Sequence, residues 1–478
     1  MIIKFDYKQT TDKLTFICDD SDVFTQVREH FSVDNKGAVF ARRRGMFVAR
    51  RKYIITPTGA CDLGMYWDIR KYLIQMQVVA DISISDSLQK VLDGSNEYTL
   101  SGDFKLSLRD YQKEVIEKAL KIGRGVCVLG TGAGKTFITA ALIESFFNNA
   151  NNKNTFKCLL IVPDLGLVTQ TYNEFLNCGV TFKTTRWTGS ITPDLTANVI
   201  ICNTGILQSK FEDNDFLKFV DLLIVDECHK VKSGNEITKI VSKIKTNNKF
   251  GFTGTLPEEQ IDKWNIIGKF GPVIFEKSSY ELRSENFLVN VQVKILDITY
   301  KCKPLRLTDN EYRDELSFIY DNKYRNEVIG TICKRLNNNT LVLVNHLAHG
   351  EAMFNYLSNI SERQVFYIRG EIEVEERERI KNLMEKHSNI ICVAISAIFS
   401  TGVNIKNLHN IIFAAGGKSF VRTVQSIGRG LRQHESKTKL NIIDICDNLK
   451  YGKAHCNKRQ DIYDAEKIEF TIKNIIQP

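Results

Sequence analysis

The stretch that decides the fold is Leu129-Gly-Thr-Gly-Ala-Gly-Lys-Thr136. It follows a short apolar run and precedes the helical pattern Phe137-Ile-Thr-Ala-Ala-Leu-Ile143. A glycine-rich turn between a strand and a helix, ending in Lys-Thr, is typical of a loop that binds phosphate groups. Glycines let backbone amides turn inward, and the helix N-terminus adds partial positive charge. The usual pattern begins with glycine where this chain has Leu129, and a strand–helix turn without a ligand is the alternative interpretation.

The residue types within this loop predict a division of roles. Lys135 would contact the β- and γ-phosphates of ATP, and Thr136 would bind Mg²⁺. The rest of the cradle would be formed by Gly130, Thr131, Gly132, Ala133 and Gly134. The sequence therefore predicts ATP and Mg²⁺ as cofactors.

Outward from this loop, short apolar runs recur along the chain, mostly bounded by Gly, Asn, Asp or Pro. Examples are Cys158–Val162, Val199–Cys202, Leu222–Val225 and Leu341–Val344. Amphipathic segments such as 109–121 and 373–386 lie between them. Buried parallel strands that alternate with helices give this pattern. The alternation restarts after about residue 290, so we expect an α/β fold with two tandem lobes, each a parallel sheet flanked by helices.

The pattern predicts four segments. Residues 1–95 carry short strand-like runs and one basic cluster, which indicates a small α+β domain that binds nucleic acid. Residues 96–278 would form the first, ATP-binding lobe and residues 279–450 the second. Residues 451–478 would form a C-terminal extension packed on the second lobe.

Composition excludes several classes of protein. Of the 478 residues, 43% are hydrophobic and 25% are charged, the balance of an ordinary globular protein. The formal charge of +9 permits a polyanionic partner without requiring one. The 12 cysteines lie in a long chain without a secretion signal, which argues against a disulfide framework. The longest apolar run is too short to span a bilayer, so we expect no membrane association and a cytoplasmic location, in the host if a phage encodes the chain.

A second motif, Leu222-Leu-Ile-Val-Asp226-Glu-Cys-His229, places two carboxylates at the end of a buried strand. Asp226 is suited to bind Mg²⁺, directly or through water. Glu227 is suited to orient and deprotonate the attacking water. An Asp-Glu pair alone is weak support, but downstream of a phosphate loop it favours ATP hydrolysis.

A third motif, Gln425-Ser-Ile-Gly-Arg-Gly-Leu-Arg432, holds two arginines three positions apart. Arg429 and Arg432 would lie on one face of a helix. Guanidinium groups are always charged and are forked to match phosphate oxygens. Gly428 and Gly430 would remove side chains that block close approach, and a basic surface helix is the alternative.

The basic cluster, residues 41–53, alternates cations with aromatic rings. Its candidate contacts to nucleic acid are Arg42, Arg43, Arg44, Arg50, Arg51, Lys52, Phe47 and Tyr53. Cations suit a phosphate backbone and exposed rings suit a stacked base. A hairpin edge protected by charge is the competing interpretation.

Together, the motifs GTGAGKT, DECH and QSIGRGLR resemble those of the superfamily-two helicases and translocases, in the family's order, over about residues 105–450. Residues 344–351, 367–378 and 399–411 are similar to those of the phage UvsW-type branch-migration helicases, and more distantly to the RecG and XPB groups. The resemblance implies that both lobes are RecA-like.

The resemblance also implies roles around the nucleotide. Gln112 would hydrogen-bond the edge of adenine, and Arg109 and Tyr111 would flank its ring, although an amphipathic helix start explains Arg109 and Tyr111 nearly as well. Thr253 and Thr255 would link His229 to the nucleic-acid side, in a motif that couples hydrolysis to movement. Arg429 and Arg432 would act as arginine fingers on the nucleotide held by the first lobe, and Gln425 would sense the nucleotide or water.

For nucleic acid, the resemblance implies contacts that carry no sequence information, because they reach the phosphate backbone. The implied contact residues are Pro163, Thr188, Gly189, Thr204, Gly205, Asn345, Arg369, Gly370, Ser400, Thr401 and Gly402. Asn404 stands where much of the family has aspartate, so the role of that position here stays open.

The expected function is that of an ATP-dependent DNA helicase that unwinds or branch-migrates forked, branched or single-stranded DNA in recombination, repair or replication. An RNA helicase and an ATP-dependent clamp that never unwinds are the alternatives. We expect a monomer.

Overall fold

The structure is a computed structural model and describes most of the chain. The described residues are 1–35, 37–38, 44–45, 48–94, 97–99, 105, 107–210, 215–232, 234–370, 374–396, 405–415 and 437–478. Their contacts divide them into two compact units. One is Met1–Leu129 with Gly134–Lys277, and the other is Gly130–Ala133 with Ser278–Pro478.

The N-terminal region is a small α+β structure. Its elements are β1 (Ile2–Lys8), β2 (Lys13–Cys18), α1 (Ser21–His30), β3 (Ser32–Asp34), β4 (Arg51–Tyr53), β5 (Ala60–Asp62), α2 (Met65–Gln75), β6 (Asp81–Ile84) and α3 (Asp86–Asp93). A four-stranded sheet has the order β5-β2-β1-β6, and β3 pairs with β4. Alternating residues of β1, such as Ile3 and Phe5, face the core, which matches the period of a half-buried strand.

The first lobe is a seven-stranded sheet flanked by helices, with the order β13-β7-β12-β11-β8-β10-β9. Its strands are β7 (Arg124–Leu129), β8 (Cys158–Val162), β9 (Thr184–Trp187), β10 (Val199–Asn203), β11 (Leu222–Asp226), β12 (Asn248–Thr253) and β13 (Val273–Lys277). Its helices are α4 (Asp110–Ile122), α5 (Lys135–Asn148), α6 (Leu165–Cys178), α7 (Thr204–Lys210), α8 (Glu236–Lys243) and α9 (Gln260–Phe270). All of its strand pairs are parallel.

The second lobe repeats this architecture with the strand order β16-β17-β15-β18-β19-β14-β20, again all parallel. Its strands are β14 (Asn290–Thr299), β15 (Thr340–Val344), β16 (Val365–Ile368), β17 (Ile391–Ile395), β18 (Asn410–Phe413), β19 (Lys439–Asp447) and β20 (Phe470–Ile476). Its helices are α10 (Ser279–Ser284), α11 (Glu311–Asp321), α12 (Lys323–Arg335), α13 (Leu347–Ile360), α14 (Val374–Lys386) and α15 (Lys450–Ala465). The predicted fold class, two parallel α/β lobes after a small α+β region, is confirmed.

The sheets explain the apolar runs of the sequence. Every residue of β7, β8, β15 and β17 is buried, because helices cover both faces of a parallel sheet. The predicted C-terminal extension contributes β20, which extends the second sheet by pairing with β14 at its edge. Within the described part of the chain, no helix is both long enough and apolar enough to cross a membrane.

Candidate functional site

The glycine-rich loop connects the end of β7 to the start of α5. Gly132 and Gly134 have φ values of 88° and 80°, which side chains rarely adopt. A Cβ on Gly134 would also lie 2.6 Å from Gln112 Nε2. The Phe137 amide already donates to the Gly134 carbonyl at 2.9 Å, whereas Lys135 and Thr136 are the first two residues of α5, the positions whose amides point toward an anion at a helix N-terminus. This geometry is that of a phosphate cradle.

Lys135 begins α5 and points back toward the end of the sheet. Its Nζ donates to the Leu129 carbonyl at 3.4 Å and lies 3.6 Å from Glu227 Oε1. The Lys135 side chain is 17% exposed, so its charge is only partly hydrated. The cation is held at the mouth of the loop, where a phosphate would compete for it.

Glu227 follows β11 in a left-handed conformation, with φ 52° and ψ 48°. Such a conformation is uncommon outside glycine and is found more often at functional sites. Burial alone would raise the pKa of Glu227, but the charge of Lys135 and the neighbouring His229 ring lower it to about 2. The carboxylate is therefore ionised at neutral pH, as a general base requires.

One oxygen of this carboxylate is poorly satisfied. Glu227 Oε2 is buried and has no hydrogen-bond partner among the described residues. His229 Nδ1 lies 3.1 Å from it, a contact that forms an ion pair when the imidazole is protonated. A buried acceptor without a donor is costly, so this oxygen is a natural place for a water molecule.

A chain of hydrogen bonds connects His229, which lies beside Glu227, to Thr253 and Thr255 at the end of β12. Thr253 Oγ1 donates to the Thr255 carbonyl at 2.8 Å, so its own proton is already used. His229 Nδ1 lies 3.0 Å from the same Oγ1 and therefore acts as the donor in that pair. This assignment leaves the proton of a neutral His229 on Nδ1. The structure thus brings together His229, Thr253 and Thr255, which the sequence assigned to coupling.

The segment predicted to contact adenine lies at the start of α4. Gln112 is buried, and its Oε1 accepts a hydrogen bond from the Arg109 backbone amide at 2.9 Å. Gln112 caps the helix in this way while its Nε2 lies against Gly134. Lys277 Nζ lies 5.1 Å from the centre of the Tyr111 ring, a cation–π contact that the sequence did not indicate.

The donor set fits ATP and a divalent cation. Thr136 is half-buried in the first turn of α5, and Asp226 is half-buried at the end of β11, where its Oδ1 accepts from the Glu227 amide at 3.0 Å. Hydroxyl and carboxylate oxygens are the ligands that Mg²⁺ prefers. The poorly satisfied Glu227 Oε2 and the positive-φ glycines supply a place for water and for phosphate.

The residues predicted to contact nucleic acid follow the carboxyl ends of strands. In the first lobe, Pro163 follows β8, Thr188 and Gly189 follow β9, and Thr204 and Gly205 follow β10. A Cβ on Gly189 would meet nothing within 4 Å, so the backbone there is open to a ligand. Since all strands of the sheet are parallel, these loops lie at the same edge as the phosphate loop, the edge where α/β proteins bind ligands.

The second lobe repeats this placement for three of its predicted residues. Asn345 follows β15, and its Nδ2 donates to the Ala415 carbonyl at 3.4 Å. Arg369 and Gly370 follow β16, and Arg369 lies 5.9 Å from the centre of the Tyr367 ring. The other second-lobe residues predicted to bind nucleotide or nucleic acid lie outside the described residues: Ser400, Thr401, Gly402, Gln425, Arg429 and Arg432.

Part of the basic cluster is tied into the N-terminal region. Arg51 forms an ion pair with Glu29, and the Tyr53 hydroxyl donates to the same carboxylate at 2.6 Å. The guanidinium of Arg28 lies 4.2 Å from the centre of the Tyr53 ring. Among the cluster's other residues, Arg44, Arg50 and Lys52 are exposed, whereas Arg42, Arg43 and Phe47 lie outside the described residues.

Two known families match the chain, one in each lobe. Residues 105–258 match the type III restriction enzyme res subunit, and residues 323–434 match the helicase conserved C-terminal domain. The first match contains the phosphate loop and the Asp-Glu pair, and the second contains the two-arginine motif. The chain belongs to the superfamily-two helicases. It uses ATP and binds nucleic acid, as members of that superfamily do.

Individual relatives agree with this assignment. The chain is 28% identical over 402 residues to the ATP-dependent DNA helicase uvsW of Enterobacteria phage T4, covering 78% of each protein. It is 30% identical over 236 residues to the DNA 3′-5′ translocase XPB2 of Sulfurisphaera tokodaii, covering 49% of this chain and 48% of that protein. The fold is similar to that of the ATP-dependent type ISP restriction-modification enzyme LlaBIII bound to DNA, with a TM-score of 0.59 and 15% identity over 86% of this chain and 34% of that one.

Proposed function

We propose that this helicase acts on DNA, where it unwinds forks and moves branch points during phage-type recombination, repair or replication. The observation that carries the proposal is the cluster of Lys135, Glu227, His229 and Thr253 at one edge of the first sheet. The similarity to a phage DNA helicase over 402 residues supports DNA as the substrate.

In this proposal the first lobe binds ATP and positions water. Lys135 would leave Glu227 to hold the β- and γ-phosphates, and Thr136 and Asp226 would hold Mg²⁺. The cation, when bound, neutralises charge on the phosphates. Glu227 orients a water molecule at Oε2 and accepts its proton, because the departure of Lys135 removes the main cause of its lowered pKa and so makes the carboxylate a stronger base. Gln112 and Arg109 hold the adenine.

The second lobe completes the site. Arg429 and Arg432 would stabilise charge on the γ-phosphate, and Gln425 would contact the nucleotide or the water. Hydrolysis removes the partner of the two arginines, so the lobes separate and rebind along the strand. His229, Thr253 and Thr255 pass this change to the loops that hold phosphates.

Nucleic acid would be held by the loops at the carboxyl ends of both sheets and by the basic cluster of the N-terminal region. The proposed division of the chain is 1–95, 96–278, 279–450 and 451–478, and the active species would be a monomer. Contacts to phosphates cannot distinguish DNA from RNA, so an RNA helicase is the second candidate. A clamp that never unwinds is the third.

One panel of substrates tests the proposal. ATP hydrolysis and strand release would be measured with single-stranded DNA, duplex DNA, forks, four-way junctions and RNA at one salt concentration. We expect branched DNA to give the highest rate of strand release per ATP hydrolysed. Greater stimulation by RNA would support the second candidate, and hydrolysis without strand release on any substrate would support the third.

A further inference from the structure

A group of charges is buried at the amino end of the first lobe's sheet, opposite the phosphate loop. Lys249 of β12 and Arg124 of β7 are direct neighbours across the two strands, and both are 0% exposed. Two like charges side by side in a sheet repel each other. Burial makes that repulsion stronger, because little water screens it.

The counter-ion comes from the N-terminal region. Asp12, in the turn between β1 and β2, is 8% exposed and has a left-handed φ of 55°. Its Oδ2 lies 2.5 Å from Lys249 Nζ, and its Oδ1 lies 3.8 Å from Arg124 Nη1. The Tyr7 hydroxyl is 3.2 Å from the same Oδ1. The turn thus inserts one carboxylate between two cations of the first lobe.

Asp12 links the two strands that lead to the phosphate loop and to Thr253. β7 ends at Leu129, directly before the phosphate loop, and β12 ends at Thr253 of the coupling chain. In their register Lys249 opposes Arg124 and Thr253 opposes Val128. A change in the spacing of the strands at their amino end would therefore shift Val128, next to the start of the phosphate loop, relative to Thr253, because both lie only four residues further along their strands, or about 13 Å at 3.3 Å per residue.

The same region also packs directly on α9. Trp264 and Ile267 of α9 belong to the hydrophobic core of the N-terminal region, and Asp62 pairs with Lys269 at 2.7 Å. A Cβ on Gly64 would lie 1.9 Å from the Ile267 carbonyl oxygen, so the two backbones are in close contact. This packing fixes the β1–β2 turn in place.

We propose that Asp12 is a positioning residue for ATP hydrolysis: the N-terminal region holds β7 and β12 in register through it. This role rests on the proposed function of the first lobe. It also means that the N-terminal region is part of the ATPase as well as a candidate contact for DNA.

The test is a double-mutant cycle in the full-length protein, with Asp12→Asn, Lys249→Met and their combination. The kcat and the KM for ATP would be measured at a temperature where melting curves show each variant to be folded. Asp12→Asn is expected to lower kcat per folded molecule by about 10-fold or more, with KM changed less. Lys249→Met in the same chain should restore most of the loss, because it removes the cation that lies nearest to Asp12 and its repulsion with Arg124. Asp81→Asn, an exposed carboxyl in the same sheet, is the matched control and should keep the parental kcat.

A folded Asp12→Asn protein with the parental kcat would overturn the proposal, even if its melting temperature fell, because the contact would then be an anchor alone. Equal loss of kcat in the single and double variants would overturn it as well. If Asp12→Asn does not fold, Asp12→Glu keeps the charge but displaces it, and a parental kcat in that variant would count against positioning. A parent without nucleic-acid-stimulated hydrolysis would instead refute the proposed function, and this proposal with it.

Discussion

At the carboxyl end of the first sheet, Lys135 and Glu227 stand 3.6 Å apart, each about one-fifth exposed, and Glu227 Oε2 lacks a partner among the described residues. At the amino end of the same sheet, Lys249 and Asp12 lie 2.5 Å apart and are 0% and 9% exposed. The first pair is loose and incomplete, as a site that must exchange ligands requires. The second is closed and fully buried, as a permanent link requires. The difference separates the charges that we propose take part in the reaction from those that hold the strands together.

The largest effect should come from removing the two arginines that we propose act on the nucleotide. Arg429→Ala or Arg432→Ala should lower kcat by about 10³-fold or more, since arginine fingers are worth about 10³–10⁵ in rate. ATP binding to the first lobe should persist, and lysine should rescue poorly because it lacks the forked geometry. Single-turnover hydrolysis and binding of a labelled nucleotide measure the two effects separately. Near-parental turnover in both alanine variants would favour the alternative interpretation of the motif as a basic surface helix.

Within the first lobe, Glu227→Gln should lower kcat by about 10²–10⁴-fold, the usual contribution of a general base. ATP binding should be retained, because the amide keeps the shape of the side chain. The protein should lose less stability than Asp12→Asn loses, because the Lys135–Glu227 pair is 3.6 Å long and partly exposed, although the lowered pKa of Glu227 means that its charge contributes to stability. Glu276→Gln, an exposed carboxyl on β13, is the control. Parental hydrolysis by Glu227→Gln would assign the base to another residue.

Much of the carboxyl end was predictable from sequence, whereas the amino end was not. Lys135, Asp226 and Glu227 lie in contiguous motifs whose chemistry depends on spacing, and the apolar runs between them predicted the parallel sheet. Asp12 and Lys249 are 237 positions apart and belong to no motif, so only the fold brings them together. The hydrogen bond from Tyr53 to Glu29 could not be predicted either, because an acidic residue in α1 gives no sign of its partner.

At the amino end, Asp12→Asn should destabilise the protein by about 3–5 kcal/mol, because a buried charge loses its partner. The free energy of unfolding would be measured by denaturant titration. Asp12→Asn combined with Lys249→Met should cost much less than Asp12→Asn alone. The comparison between the two ends would fail if Asp12→Asn were no less stable than Glu227→Gln.

The pH dependence of stability gives a second test of the buried charges at the amino end of the first sheet. Burial lowers the pKa of Lys249 from 10.5 to about 8, although Asp12 opposes this shift and Arg124 adds to it. Between these two pH values the unfolded chain holds more protons than the folded one, so this lysine makes stability rise with pH. Relative to Lys249→Met, the parent should gain at most ~3 kcal/mol from pH 8 to 10.5. Tyr7 and Lys245 also face the site, and they remain in both proteins, so their titration largely cancels. A flat difference between the two proteins would mean that Lys249 is hydrated or neutral throughout.

The smallest effects are expected in the N-terminal region, where the basic cluster contains both exposed cations and cations that are already paired. Arg50 is exposed, whereas Arg51 is already paired with Glu29. If the cluster binds DNA, Arg50→Ala should make the salt dependence of binding shallower by about 0.7–0.9 in the log–log slope, the value for one phosphate contact. Arg51→Ala should change the slope less, because its counter-ion is a carboxylate of the protein.

A comparison of branched with single-stranded DNA tests what the basic cluster recognises. Neutralising Arg42, Arg43, Arg44, Arg50, Arg51 and Lys52 together should reduce unwinding of forks and four-way junctions far more than ATP hydrolysis on single strands. The reason is that both ATPase lobes and the buried Asp12 link stay intact, so only the hold on a second DNA arm is lost. Equal losses on single-stranded and branched DNA would show that the cluster supplies general affinity. An unchanged salt slope in all of these variants would identify it as a charged edge that protects the β3–β4 hairpin from pairing with other chains.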